Sequence, residues 1–475
     1  IQACCLLSHQ SSFLSHQDIN TIYTARMLHS EAVCYGFDLD VFVGSTLVNF
    51  YGIHGYIVEA RYMFNALPDQ DIVSITAMLS AYAEHLSGDI GIQWFTRMQV
   101  EGVIPDVVTY SCILKVCANV GAIEKGRRLH EEIIQRGLEQ ESSVNNSIIN
   151  MYFKCGSLLE AQNVFDMIAV QDVVAWSSMI IGYGVNHQGH GVLQCFENMR
   201  EKGIKPDAIT FTRLLTACSH SGLVREGQDY LRNMREYYDI SPTVDHLTSM
   251  VNILARSGHL YEAEMFIEMI CPHSEITWGA LLTGCRTHGE AELGLRCFQK
   301  LIEINSKAAA WYVLMGDIYA DVGRWENAYR IEGIRRHFGA KKKPGAALIE
   351  LNDQLHEFIA GHEHSKKITE KLVSLNSQLR NAGHRPHVAL VLKPISDQEK
   401  EVMLCEHAEK VAIAFGLLNT PDGVTLRVSK NLRMCIDCHD ASKIISRIER
   451  REIILRDDCC IHHFRDGSCS CQDMF

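Results

Sequence analysis

The sequence has little proline and no long apolar run. It contains 9 prolines in 475 residues, which argues against Pro-rich linkers and favours long stretches of helix. No run of about 18 apolar residues is present, and the mean hydropathy is −0.04, so no membrane-spanning helix is predicted. The length of 475 residues exceeds that of one small core and predicts roughly three domains.

The chain also lacks an excess of positive charge. Its 45 Lys and Arg residues are outnumbered by 57 Asp and Glu residues, and the net charge is −12. This balance disfavours a protein that binds nucleic acid through bulk positive charge. It remains compatible with a protein that recognises bases through side-chain hydrogen bonds and a local basic groove.

Cysteine, in contrast, is abundant. The 18 cysteines are scattered through apolar, helix-like segments instead of a compact framework. This predicts buried thiols in a reducing compartment, and metal ligands where Cys and His cluster. The chain begins at Ile1 and not at Met, so we expect a fragment or a processed form, with any targeting peptide upstream.

Acidic landmarks indicate an internal repeat in the first two thirds of the chain. Asp71 and Asp106 are 35 residues apart, as are Asp172 and Asp207, and YGIHGYIVEARYMF at residues 51–64 is echoed 101 residues later by YFKCGSLLEAQNVF. A block of three units, with 35, 35 and 31 residues, therefore recurs. Each unit has two apolar stripes at helical spacing, separated by a glycine. Stacked helix pairs can bury a core that neither helix buries alone, so we expect a right-handed α-solenoid whose concave groove is lined by one helix of every pair.

Such a groove can bind peptides or nucleic acid, and two positions of each unit favour nucleic acid. The fifth residue is small and forms hydrogen bonds, and the last residue carries a carboxylate, so that one pair per repeat could select one base. Helix N-capping also requires these residue types; both interpretations stay open, and the strict recurrence favours base selection. The fifth positions are Ser45, Thr76, Ser111, Asn146, Ser177 and Thr212, and the last positions are Asp71, Asp106, Glu141, Asp172 and Asp207.

After about residue 343 the repeat ends, and Cys and His residues crowd together. A His-x-Glu motif at His407 and Glu409, followed by Cys435-x-x-Cys438, is the arrangement of zinc deaminases. His407, Cys435 and Cys438 would give one nitrogen and two thiolates to a tetrahedral zinc that keeps its fourth position for water. Glu409 would be the general acid/base that carries the water proton to the base and the leaving group. Met434 stands where such motifs usually have Pro.

Four further residues predict a second, structural zinc site. His439, His462, Cys469 and Cys471 form a closed tetrahedral set that would pin the C-terminal tail to the core. His463 is an alternative to His462. A redox function would need a single Cys pair near a βαβ unit, without this surplus of His and Cys.

These motifs resemble the plant-type pentatricopeptide repeat proteins of the PLS class that end in a DYW domain. The 35/35/31 block resembles their P, L and S motifs, WGALLTGCRTHG and YVLMGDIYADVGRW resemble E-type extension repeats, and HAEK and CIDCH resemble the His-Ser-Glu-Lys and Cys-x-x-Cys-His signatures of the DYW domain. The resemblance implies an α-solenoid of helix-turn-helix repeats followed by a small α/β, zinc-binding, cytidine-deaminase-like domain. The implied boundaries are a partial repeat at 1–40, repeats at 41–71, 72–106, 107–141, 142–172, 173–207, 208–243 and 244–275, extension repeats over 276–342 (276–309 and 310–342), and a deaminase domain at 344–475.

The resemblance further implies an RNA-editing factor of the mitochondrion or chloroplast. Its implied cofactors are two zinc ions, one catalytic and one structural, and its implied partners are single-stranded organellar RNA and protein editing cofactors, with no membrane and no DNA. In that family the fifth and last residues select the base. The implied preferences are G for Ser45/Asp71, Thr76/Asp106 and Ser177/Asp207, and U for Asn146/Asp172, with Ser111/Glu141 ambiguous and the last repeats, including Thr212, poorly coded.

The sequence departs from the family pattern in two places. The box PGxSWIE is PGAALIE here, with Ala347 and Leu348 in place of Ser and Trp, and the chain ends Asp473-Met474-Phe475 instead of Asp-Tyr-Trp. Together with Lys343, this box resembles the KP variant of the domain, which is associated with U-to-C editing. The resemblance therefore predicts U-to-C conversion, with hydrolytic C-to-U deamination as the alternative.

Three other function classes compete with editing. A non-catalytic RNA-binding protein would use the C-terminal domain only as a zinc-stapled dock. An endonuclease would need a cluster of acidic metal ligands, whereas Asp457 and Asp458 are expected to form a turn, and Cys459 and Cys460 to be buried strand thiols. A protein-binding solenoid is disfavoured by the recurrent polar positions.

Overall fold

The structure is a computed structural model that describes residues 19–84, 88–341, 344–352, 354–388, 391 and 395–473. Lys343, Met474 and Phe475, which contribute to the family resemblance, and the first 18 residues of the predicted partial repeat lie outside the described residues. The chain divides into two compact units, Ile1–Tyr152 and Phe153–Phe475. Among the described residues, no helix has both the length and the apolar character needed to cross a membrane.

Residues 19–337 form helices that are joined in pairs by short turns. A glycine with positive φ supplies several of these turns; Gly121, at φ 75°, ends one helix, and Gly222, at φ 69°, ends its counterpart in a later repeat. Only glycine adopts this left-handed conformation without steric cost. The helices are α1 (Ile19–Cys34), α2 (Val41–Ile53), α3 (Ile57–Ala66), α4 (Ile72–Glu84), α5 (Gly88–Val100), α6 (Val107–Val120), α7 (Ile123–Gln135), α8 (Ser142–Lys154), α9 (Leu158–Met167), α10 (Val173–Val185), α11 (Gly189–Glu201), α12 (Ala208–Ser221), α13 (Val224–Glu236), α14 (Val244–Arg256), α15 (Leu260–Ile270), α16 (Glu275–His288), α17 (Ala291–Ile304), α18 (Ala309–Asp321) and α19 (Trp325–His337).

The first helices of successive repeats pack closely in the second unit. A Cβ built on Gly184 of α10 would lie 2.4 Å from the Cβ of Ala217 and 2.5 Å from its Cα in α12, so the two helices approach with no room for a side chain between them. Buried aromatic residues such as Phe211 and Trp278 fill the core between helix layers. The first helix of each predicted repeat from residue 41 to residue 275 begins at the first residue of that repeat.

A six-stranded sheet begins at Ala346, after the last helix of the array. Its order is β2-β1-β3-β4-β5-β6; β3 and β4 are parallel, and the other neighbouring strands are antiparallel. The predicted fold class, an α-solenoid followed by a small α/β domain, is confirmed. The elements are β1 (Ala346–Leu351), β2 (Gln354–Ile359), α20 (Lys366–Asn381), α21 (Asp397–Cys405), α22 (Ala408–Asn419), β3 (Leu426–Lys430), α23 (Ile436–Ile448), β4 (Ile453–Arg456), β5 (Ile461–Arg465) and β6 (Ser468–Cys469).

The sheet and its helices share one apolar core. Ala412 and Ile413 of α22 and Ile445 of α23 are buried against Val428 of β3 and Leu455 of β4. Because α22 and α23 both pack on this core, their first turns lie close enough to place residues from distant parts of the sequence in one cluster.

Candidate metal centres and nucleic-acid interface

The first cluster lies at the N-terminal ends of α22 and α23. His407 caps α22, and Cys435 caps α23 by accepting a hydrogen bond from the backbone N–H of Cys438. The Nδ1 atom of His407 is 3.4 Å from the sulfur of Cys435 and 3.3 Å from that of Cys438. A tetrahedral zinc with its usual bond lengths sets nitrogen and sulfur ligands roughly 3.5 Å apart. The three predicted ligands are therefore brought together with the spacing that zinc requires.

The thiols of this cluster are held in an environment that favours one thiolate. A hydrogen bond with the Cys438 thiol lowers the pKa of Cys435 well below its ordinary value, and His407 acts in the same direction. Burial raises the pKa of Cys438 well above its ordinary value. The positive end of the α23 dipole also points at Cys435. The Cys435 sulfur is thus available as a thiolate ligand, and a bound metal would deprotonate Cys438.

Glu409, the predicted general acid/base, is 1% exposed and forms an ion pair with Lys430 at the end of β3. Burial acts to lower the pKa of Lys430, but the charges of Glu409 and of the two cysteines raise it overall. The Oε2 atom of Glu409 is buried and has no hydrogen-bond partner among the described residues. Since an orphaned buried carboxylate oxygen is costly, this atom marks a position suited to a water molecule or a substrate group.

A second buried ion pair flanks the same cluster. Lys410 donates a hydrogen bond of 2.5 Å to Asp437, which lies between the two cysteines, and both residues are buried. Once a bound metal has deprotonated both cysteines, two thiolates and two carboxylates would face two ammonium groups, which leaves a charge of −2 for the protein groups. A divalent cation would cancel that charge, so the donor set fits zinc in charge as well as in geometry.

The second cluster contains all four residues predicted for the structural site. The Nε2 atom of His439 is 3.2 Å from the sulfur of Cys471, the Nδ1 atom of His462 is 3.5 Å from that of Cys469, and the two sulfurs are 3.3 Å apart. Gly467, at φ 85° between β5 and β6, makes the turn that folds Cys469 back towards His462. Their candidate ligand atoms all lie within 4.8 Å of one another, so the four residues could supply a complete tetrahedral set.

The structure distinguishes His462 from His463. The side chain of His462 belongs to the second cluster, whereas that of His463 points away from it and its Nε2 atom is 2.9 Å from Oδ1 of Asn186. The expectation of strand thiols for Cys459 and Cys460 is wrong, because both lie in the turn between β4 and β5. Asp457 lies in the same turn, as expected, but it is buried.

In the first unit, four of the predicted base-selecting residues line one cavity of about 730 Å³. They are Ser45, Asp71, Thr76 and Asp106. The first repeats therefore place fifth and last residues around common open space.

The last residues also cap helices. Asp71, Asp106, Asp172 and Asp207 each accept a hydrogen bond through Oδ1 from a backbone N–H three residues later, at 2.7–2.9 Å. Glu141 is exposed. Capping uses one carboxylate oxygen, so the alternative interpretation from residue type holds for these aspartates without excluding a second role for Oδ2.

Most fifth residues form a hydrogen bond with the backbone of their own helix. The hydroxyl groups of Ser45, Ser111, Ser177 and Thr212 each donate to the carbonyl four residues earlier, at 2.6–3.1 Å. Thr76 instead shares a 2.9 Å hydrogen bond with Thr109. Ser45 and Ser177 are buried, whereas Thr76, Ser111, Asn146 and Thr212 are partly exposed, so the fifth positions differ in access.

The second position of several repeats holds an exposed apolar residue that is not among the sequence-predicted site residues. Phe42 is 68% exposed, and Val73 and Val108 are also exposed, and all three line the cavity of the first unit. In the second unit, Val174 and Ile209 occupy the same position and are exposed. The signal in the sequence is an apolar residue two positions after each capping aspartate, which a helical core pattern hides.

Family models match most of this architecture. The model described as the DYW family of nucleic acid deaminases matches residues 383–475, and the E motif matches 288–350. Models of the PPR repeat match five segments, which are 70–119, 108–138, 146–171, 171–220 and 209–238. The E motif thus extends into β1, beyond the predicted boundary at 342.

Similar proteins belong to the same group. The chain is 38% identical over 453 residues to the mitochondrial pentatricopeptide repeat-containing protein At3g26782 of Arabidopsis thaliana, covering 94% of this chain and 69% of that protein. It is 35% identical to the chloroplastic pentatricopeptide repeat-containing protein CRR2 of the same plant, covering 96% and 70%. The crystal structure of the maize pentatricopeptide repeat protein PPR10 aligns with a TM-score of 0.44 at 17% identity, covering 68% of this chain and 48% of that one.

Proposed function

Since the chain belongs to the plant pentatricopeptide repeat proteins that carry an E motif and a DYW deaminase domain, we propose that it is an organellar RNA-editing factor. Its repeats bind single-stranded RNA, one base per repeat, and its C-terminal domain converts one target pyrimidine. The observation that carries this proposal is the cluster of His407, Cys435 and Cys438 beside the buried carboxylate of Glu409, whose charge acts on His407 and Cys438. Relatives named mitochondrial and chloroplastic support an organellar location.

The chemistry divides between a metal and the residues of the chain. Held by His407, Cys435 and Cys438, zinc would supply the Lewis acid of the reaction at C4 of the pyrimidine. Glu409 holds and moves the proton, because its Oε2 atom is buried and has no hydrogen-bond partner among the described residues, which leaves it available to the reacting groups. Lys430 fixes the other carboxylate oxygen, so that Glu409 approaches the reacting atoms in one orientation. The second cluster, with four candidate protein ligands, would hold a structural zinc.

For the direction of editing, we propose U-to-C conversion. In that direction ammonia supplies N4, and O4 leaves as water; C-to-U deamination is the reverse, with water attacking and ammonia leaving. The basis for this choice is the resemblance of the box at residues 344–350 to the KP variant, and the box also lies close to the proposed acid/base, because Ala347 in β1 is directly opposite Lys430 in β3. Residues directly opposite in antiparallel strands have side chains on the same face. A change at position 347 therefore alters the packing of the lysine that holds Glu409.

RNA recognition would use the polar and apolar positions of the repeats together. Exposed Val73 and Val108 line the cavity of the first unit together with Thr76. An apolar side chain can pack against the face of a base while a hydroxyl group contacts its edge, which suits single-stranded RNA. We further propose that the protein binds two zinc ions and acts together with protein editing cofactors.

The editing experiment uses the full chain with a cognate RNA that carries either U or C at the target position. U-to-C conversion with uptake of ¹⁵N from labelled ammonium would support the proposed direction, and C-to-U conversion would overturn it. Glu409→Gln should abolish conversion while zinc remains bound. Glu406→Gln, in which an exposed neighbour undergoes the same change, should edit normally. Unchanged function in Glu409→Gln would instead favour the non-catalytic RNA-binding protein.

The base-selection experiment exchanges one fifth-position residue. Thr76→Asn should shift the preferred base at that repeat from G towards U, measured by fluorescence polarisation with RNA oligomers that differ at one base. Thr46→Asn is the matched control, because Thr46 lines the same cavity outside the coding positions. Equal effects of the two substitutions on base preference would contradict one-base-per-repeat selection.

A further inference from the structure

Asp457 is a buried carboxylate that the proposed reaction does not use. Its side chain is 1% exposed and lies in the turn after β4. Through Oδ1 it accepts the backbone N–H groups of Cys459 at 2.8 Å and Cys460 at 2.9 Å, and through Oδ2 that of Met434 at 2.9 Å. Three N–H groups converge on this carboxylate, so its position is rigid.

The same carboxylate faces the back of a predicted metal ligand. The Nε2 atom of His462 is 3.6 Å from Oδ2 of Asp457, while Nδ1 is 3.5 Å from the sulfur of Cys469 in the second cluster. A histidine that binds metal through one nitrogen generally presents the other N–H to a carboxylate or carbonyl group, which sets its tautomer and orientation. The sulfur of Cys460 is 3.5 Å from the same Nε2, so it competes with Asp457 for the hydrogen bond from this nitrogen.

The other histidine of the second cluster has the mirror arrangement. The Nε2 atom of His439 is 3.2 Å from the sulfur of Cys471, and its Nδ1 atom is 3.6 Å from Asp473 and 3.9 Å from Asp440. Both histidines thus present one nitrogen to the sulfurs and the other to carboxylates. Asp457 differs from these two aspartates because it is buried and fixed by the backbone.

Met434 connects Asp457 to the first cluster. This residue immediately precedes Cys435. Its backbone N–H donates a hydrogen bond to Oδ2 of Asp457, which fixes the segment that leads into α23. The connection exists because β3 and β4 are parallel neighbours, so the segments that follow them leave the sheet at the same edge. One carboxylate oxygen therefore faces a ligand of the second cluster and anchors the backbone beside a ligand of the first.

We propose that Asp457 is a positioning residue shared by the two metal sites, which orients His462 as an Nδ1 ligand and holds Cys435 in place. The inference rests on the proposed function, since it assumes that both clusters hold zinc. It makes the two sites interdependent: loss of the carboxylate weakens the second site directly and the first through the backbone of Met434. Asparagine cannot replace it, because N–H groups face both carboxylate oxygens.

The test measures zinc content and affinity of the full-length chain. Asp457→Asn should bind the second zinc about 10- to 100-fold more weakly, as determined by elemental analysis and by competition with a chromogenic chelator. The matched control is Asp458→Asn, which removes the same charge from an exposed neighbour and should retain wild-type affinity for both ions. In cobalt-substituted chains, Asp457→Asn should also change the thiolate-to-cobalt charge-transfer bands, whereas Asp458→Asn should leave them unchanged.

A second set of variants keeps the test independent of folding and of the competing thiol. Cys460→Ala should leave both affinities unchanged; a loss equal to that of Asp457→Asn would overturn the assignment. Asp457→Glu, which retains a carboxylate, should recover at least part of the affinity, and equal losses in both variants would overturn a specific role. A metal-free wild-type chain would overturn the proposed function as well, whereas two ions bound equally by wild type and Asp457→Asn would overturn only this inference.

Discussion

Replacing Lys430 by methionine tests whether the ion pair with Glu409 supports the deaminase-like domain. The two side chains are 8% and 1% exposed, and the second oxygen of Glu409 already has no partner among the described residues. Lys430→Met retains the aliphatic stem and removes the ammonium group, which leaves an uncompensated buried carboxylate. Removing one partner of a buried pair costs about 3–5 kcal/mol, whereas replacing both by neutral groups of similar volume is often nearly neutral. The double variant Lys430→Met/Glu409→Gln should therefore recover most of the loss.

Amide hydrogen exchange in the full chain can localise this effect to α22 and β3. A loss of 3–5 kcal/mol corresponds to roughly a hundred- to several-thousand-fold faster exchange where local opening limits protection. Lys371→Met provides the control, because Lys371 and Glu449 form a partly exposed pair, at 22% and 20%, whose loss should cost no more than about 1 kcal/mol. Exchange in Lys430→Met within tenfold of wild type, or no recovery in the double variant, would refute the reasoning.

Further predictions concern helix packing, thiol reactivity and helix caps. Gly184→Ala should lower the melting temperature, because the added Cβ would lie 2.5 Å from a backbone atom and overpacking costs about 1–3 kcal/mol. The matched control is Gly333→Ala, which has open space around the added Cβ and should raise helix stability by about 1 kcal/mol. Burial raises the pKa of Cys195 to about 12, so Cys195 should resist iodoacetamide at about pH 8 while the exposed Cys34 reacts, and equal labelling would contradict this. Because the unfolded thiol has a pKa of 9.0, the stability from neutral Cys195 is complete below that value and is lost as the pH rises towards 12. Asp106→Asn should keep the cap of α6, whereas Asp106→Ala should lose about 1 kcal/mol of stability in denaturant unfolding.

The residues of both metal clusters could be predicted from the sequence, because local motifs bring several of the candidate ligands close together. Cys435 and Cys438 are one helical turn apart at the start of α23, and Cys469 follows a tight turn at Gly467. Spacing alone cannot show which neighbours surround those ligands. The pairing of Lys430 with Glu409 depends on the position of β3 beside α22, and no sequence period encodes that contact.

The turn after β4 shows the same limit more clearly. An Asp-Asp pair before two cysteines indicates a turn, and the structure has one there. Its burial follows from the parallel pairing of β3 with β4, which brings the backbone of Met434 to Asp457. Long-range pairing of this kind turns a residue that resembles a surface turn former into a buried acceptor of three N–H groups.

The repeats show how an acidic chain could still bind RNA with specificity. With a net charge of −12, bulk attraction to phosphate would contribute little affinity, so contacts to bases are expected to accumulate along the array. The four partly exposed fifth residues, Thr76, Ser111, Asn146 and Thr212, would each contribute about 1 kcal/mol of net hydrogen bonding. Over these four repeats this amounts to roughly 10³-fold discrimination. A chain with a negative net charge therefore needs many repeats, because each repeat adds only a little affinity and discriminates at only one base.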